Sequence, residues 1–109
     1  MLFKDDPERA RICSALLSLI NRGSLWTESG PTAAAMELHK RHGGSVSHGE
    51  SVMLGVAWAV WTGENDWPLT FNEVLYTLDA KSLKAVGYLI VALATGHAAI
   101  DKWLLDWKV

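Results

Sequence analysis

The chain has 109 residues, half of them hydrophobic and a fifth charged, with a formal charge of −2. That is enough to form one domain with a buried core, and the composition is globular rather than disordered. The slight acidity excludes bulk attraction to nucleic acid or anionic lipid, and the lone Cys13 excludes an intrachain disulfide or a cysteine-based zinc site.

Met1–Pro7 lacks the charged, apolar and small-residue regions of a signal peptide. The longest apolar run, Val52 to Trp61, is too short for a transmembrane helix, which needs about 20 residues. A cytoplasmic protein with no membrane association is expected.

Six helices follow in chain order. Asp6 as N-cap, Pro7 at the first position and Gly23 as stop predict a first helix from about Pro7 to Arg22, with Ile12, Leu16, Leu19 and Ile20 inward. A second is predicted from about Pro31 to His42, burying Ala34, Ala35 and Leu38 and stopped by Gly43-Gly44. Its basic last turn suits the C-terminal end of the helix dipole. Ser47 and Glu50 form a capping box for a third helix that is apolar all round from Val52 to Trp61, and Gly63 ends it.

Thr70 and Glu73 form another capping box, with Leu69 and Val74 placed as a hydrophobic staple, so a short fourth helix should end near Leu78. Asp79 caps a fifth, about Ala80 to Thr95, whose face carries Leu83, Val86, Gly87, Ile90, Leu93 and Ala94. The last helix runs from about His97 to Lys108, with Ile100, Trp103, Leu104 and Trp107 on one stripe. No β pattern or internal repeat is visible. The expected fold is an all-α compact bundle of six short helices, the third and fifth central.

Candidate chemistry is sparse. His39 and His42 share a helical face and His48 follows the glycine turn, with Glu37 and Glu50 near in sequence; three imidazoles and a carboxylate are a possible divalent-metal set. The simpler reading is that His39 and His42 are solvated residues at a helix end, while His48 and Glu50 cap the next helix. His48-Gly49-Glu50 also opens the zinc deaminase pattern, but its Pro-Cys-x-x-Cys partner is missing. Counting Thr62 as position one, Glu64, Asp66, Thr70 and Glu73 fall at calcium-loop positions three, five, nine and twelve. Trp67 stands where that loop needs glycine, so an ordinary helix connection competes with the loop.

The second and third helices could be drawn as a helix-turn-helix, but the reading helix would offer Val, Met, Leu and Trp to base edges. Nucleic acid is therefore not an expected partner. No serine elbow, phosphate loop or dinucleotide fingerprint is present, and no residue is assigned as catalytic.

Six tryptophans are the main oddity. Trp58 is expected in the core. Trp67, in a polar loop, and Trp103 and Trp107, on the last helix, are candidate anchors for a protein contact. The favoured expectation is a non-enzymatic protein-interaction module with a protein partner and no cofactor. It includes a homodimer with the last helix in or beside the contact. A divalent-metal-binding protein and a small enzyme with a site spread over several helices are the alternatives.

Overall fold

The computed structural model describes residues 3–41, 47–64 and 69–107. Its helices are α1 (Asp6–Ser18), α2 (Ala33–Lys40), α3 (His48–Thr62), α4 (Phe71–Thr77), α5 (Ala80–Thr95) and α6 (His97–Trp107). A two-residue antiparallel ladder, β1 (Trp26–Thr27) and β2 (Gly30–Pro31), joins α1 to α2. The architecture is the mainly α compact bundle expected, with a radius of gyration of 12.7 Å. No helix among the described residues is long and apolar enough to cross a membrane.

Four caps fall where the side chains direct. Ser47 and Glu50 make the reciprocal bonds of a capping box at α3, and Thr70 and Glu73 do the same at α4. Asp79 accepts from the Ser82 N–H at 2.7 Å, and Gly63 ends α3 with φ 71°. The cap of α2 is Thr32, so the helix starts at Ala33, two residues after the expected Pro31. Pro31 instead sits in β2, where it pairs with Trp26.

Two expectations fail at α1. Its N-cap is Asp5, whose carboxylate accepts from the Glu8 N–H at 2.8 Å, and Pro7 is then the second helical residue. The helix also stops a turn early. Asn21 takes φ 60°, and the Arg22 N–H turns back to the Leu17 carbonyl at 2.8 Å. Asparagine tolerates the left-handed region, so it supplies the reversal expected of Gly23.

The ladder after that reversal was not legible as a strand, because two residues carry no period. Gly30 makes it possible. It has φ +114°, and a Cβ there would lie 2.8 Å from the Trp61 ring. Only glycine meets both conditions.

The core is built on an antiparallel pairing of α1 with α3. Ala10, Ile12, Cys13, Leu16 and Leu17 are buried on α1, and every residue from Val52 to Trp58 is buried on α3. The Cys13 thiol donates to the Ala57 carbonyl at 3.3 Å in the middle of the contact. Two arginines close its ends. Arg9 donates to the Trp61 carbonyl at 2.9 Å, and Arg22 donates to Glu50 at 3.1 Å.

α3 is central as expected, although Ala59 is exposed and Val60 and Trp61 are only half-buried. α5 is central along one side only, through Ser82, Ala85, Val86, Leu89 and Ala92. Its Gly87, Ile90 and Ala94 face solvent, against expectation. On α2, Ala35 is buried whereas Ala34 is exposed.

Three tryptophans lock the hairpin and α2 to α3. Trp26 meets Trp58 edge-on at 5.0 Å and Trp61 at 6.4 Å, and the His39 ring lies 4.4 Å from that of Trp58. Trp58→Ala should cost about 3–5 kcal/mol in chemical denaturation. An unchanged midpoint would mean that the cluster does not hold α3.

The caps add a pH dependence. The Ser47 N–H, helped by Arg22, holds Glu50 below its ordinary 4.5, and the Ser82 N–H holds Asp79 below its ordinary 3.8. A carboxylate with a depressed folded value stabilises above its unfolded value and loses that contribution as pH falls through the folded one. Stability should therefore decline as pH drops below about 4.5. The combined Glu50→Gln, Asp79→Asn variant, which keeps acceptor oxygens, should decline less steeply. Parallel slopes in urea melts from neutral to acid pH would reject this.

Candidate functional site

The sequence-predicted metal groups do not assemble among the described residues. His39 is half-buried against Trp58, and His48 is exposed with its Nε2 3.6 Å from Glu73. His42, the third member of that set, lies outside the described residues. In the loop set, Glu64 is exposed and Asp66 lies outside the described residues. Glu73 has another task, since its Oε1 accepts from both the Thr70 N–H and hydroxyl. No group of three or more His, Cys, Asp or Glu side chains among the described residues is placed to hold a metal ion.

The Cys13 thiol is fully buried, and burial pushes it far above its ordinary value. It stays protonated and is a core residue, not a nucleophile.

The tryptophan anchors divide. Trp67 lies outside the described residues. Trp103 is 3% exposed and its indole N–H donates to the Ala85 carbonyl at 2.9 Å, so it fastens α6 to α5 from inside. This corrects its assignment as a surface anchor: the packing of α6 on α5 buries the ring, and α5 supplies an acceptor for its N–H. Trp107 is half-buried, its ring 6.3 Å from that of Tyr88.

Exposed large apolar side chains lie on α2 (Met36), α4 (Phe71, Leu75 and Tyr76), α5 and α6 (Leu105), and α5 is a helix that was expected to be covered. On α5, Tyr88, Ile90 and Val91 are 59%, 58% and 61% exposed. These residues form a ridge with a groove on either side. The groove toward α3 encloses about 340 Å³ and is walled by Val56, Val60, Leu69, Ile90 and Leu93. The groove toward α6 encloses about 400 Å³, with Tyr88, Val91 and Trp107 on its walls and Lys102 and Asp106 on its rim. The legible signal was an over-wide stripe. Val86 and Leu89 face one way while Tyr88, Ile90 and Val91 face another, more apolar surface than one side of a helix can bury.

One buried polar group stands apart. Glu8, in the first turn of α1, has no exposure. Its Oε1 accepts from the Lys4 N–H at 2.8 Å and lies 3.7 Å from His97 Nδ1, and its Oε2 has no hydrogen-bond partner among the described residues. The hydrogen bond from Lys4 and the His97 ring beside the same oxygen make Glu8 a structural staple between α1, the segment before it and the entry of α6. Glu8→Ala would strip an acceptor from a part-buried N–H, and it should cost about 1–3 kcal/mol. The exposed Glu28→Ala should stay within about 0.5 kcal/mol. Equal effects would remove the staple role.

Comparison with protein-family models, with curated proteins and with solved structures finds no match to this chain.

Proposed function

We propose that the chain is a non-enzymatic protein-interaction module that engages its partner through the outer face of α5. The observation that carries this reading is the exposure of Tyr88, Ile90 and Val91 together, between two grooves with largely apolar walls. Soluble proteins seldom leave a contiguous apolar surface uncovered unless something binds there. The chemistry is that of a contact. Aromatic and aliphatic groups form the centre, and Lys102 and Asp106 supply a charged rim, the usual anatomy of a protein interface. Trp107 beside Tyr88 offers the kind of aromatic pair that concentrates binding energy.

A homodimer belongs to the same proposal, with the second copy on a face other than the one that takes the partner. A cytoplasmic setting belongs to the same proposal, since the single thiol is buried and calls for no oxidising compartment.

Affinity capture from the native host followed by measured binding tests the reading. The combined Tyr88→Lys, Val91→Lys variant should bind the captured protein at least about tenfold more weakly. Both side chains are mostly exposed, so the variant should keep the melting temperature of the parent. Equal affinity in parent and variant would take the partner off this face.

A further inference from the structure

A second surface lies on the other side of α6. Between α1 and α6 runs an open cleft of about 480 Å³, floored by Ala15 and Leu104. Its polar lining carries both signs of charge, Arg11 from α1 and Asp101 from α6. Leu105 stands at the cleft's edge and is 77% exposed, more than any other leucine or isoleucine among the exposed large hydrophobic residues. Asp101 has no ion-pair partner among the described residues. Arg11 has only a long one, 3.6 Å to a Glu28 that is itself 73% exposed. Such a solvent-exposed pair is weak and easily exchanged.

These features constrain what can fill the cleft. A partner of uniform charge would be attracted at one lip and repelled at the other. An occupant needs an apolar knob flanked by one cation and one anion in reversed order. The chain carries that set on this same face. A two-fold axis beside α6 would reverse the order, set each Leu105 toward the other copy's cleft and bring Arg11 of one copy toward Asp101 of the other. This is the self-complementarity an isologous contact requires.

We propose that the α1–α6 cleft is a homodimer contact in which Leu105 is the exchanged knob and Arg11 and Asp101 form the reciprocal charge pair. The proposal rests on reading the chain as a protein-binding module, and it assigns the second copy to a face separate from the α5 ridge.

Sedimentation equilibrium of the full chain tests it. The parent should approach twice its 12.0 kDa mass at micromolar concentration. Leu105→Glu should sediment as a monomer with an unchanged circular dichroism spectrum, because the side chain is exposed. Arg11→Glu and Asp101→Arg should each weaken association by about tenfold or more, and the two together should restore it to within about threefold of the parent. A parent that stays near 12.0 kDa at about 100 µM, a level well above typical specific affinities, overturns the proposal. So does a Leu105→Glu variant that dimerises like the parent, or a double reversal weaker than either single one.

The Tyr88→Lys, Val91→Lys variant separates this proposal from the reading it rests on. Dimer retained with captured partner lost supports both. Dimer lost in that variant moves the second copy to the α5 ridge and overturns the cleft contact, while the interaction module stands. A monomeric parent whose partner is lost in that variant likewise overturns only the cleft contact.

Discussion

The central constraint on this fold is the burial of α3 around its whole circumference from Val52 to Trp58. A helix that is apolar on every side must be covered on every side, and no single neighbour can do that. α1 covers one flank closely because Ala10, Cys13 and Ala15 are small, which lets the thiol reach the Ala57 carbonyl. The hairpin covers another flank with Trp26 and brings Gly30 onto the Trp61 ring. Arg9 then spans the joint. Its guanidinium lies 5.1 Å from the Phe3 ring centre and 5.8 Å from that of Trp61, while it donates to the last turn of α3. A cation there also meets the negative end of the α3 dipole. The short helices α2 and α4 would not persist alone, and their order derives from this packing.

What could be read from the sequence was the local chemistry of helix starts. Ser47 with Glu50, Thr70 with Glu73, and Asp79 each announced a helix, because a cap is decided by a few adjacent residues. What could not be read depended on distant partners. Nothing in the neighbourhood of Glu8 says that His97 will lie beside it, so its burial was invisible. The centrality of α1 was hidden for a related reason. Its buried face mixes Glu8, Ala10, Cys13 and Ala15 with three long aliphatic residues, and small side chains give a faint periodic signal. Trp103 and Trp107 share a stripe in the sequence, yet only the packing of α5 against α6 puts the first inside and leaves the second half outside. Spacing alone also does not reveal what the described members of the metal sets and their neighbour Glu50 already do. Glu50 and Glu73 are held by their own caps, and His39 stacks in an aromatic cluster.

The way the polar side chains are employed bears directly on function. Ser14 donates to the Gly23 carbonyl, Ser18 to that of Ser14 and Thr62 to that of Trp58. Thr32, Ser47 and Thr70 each hold the start of a helix. These hydroxyls and the cap carboxylates are bound to the backbone, where they fix local structure instead of converging on a shared point in a cleft. The apolar groups follow the reverse course. The inner face of α5 already supplies its share of the core, and Tyr88, Ile90 and Val91 add nothing to that burial. Their exposure is the feature on which the proposed contact rests. Under the proposed reading, the outer face of α5 would meet another protein while the capped helix starts and the α1–α3 pairing hold the scaffold beneath it.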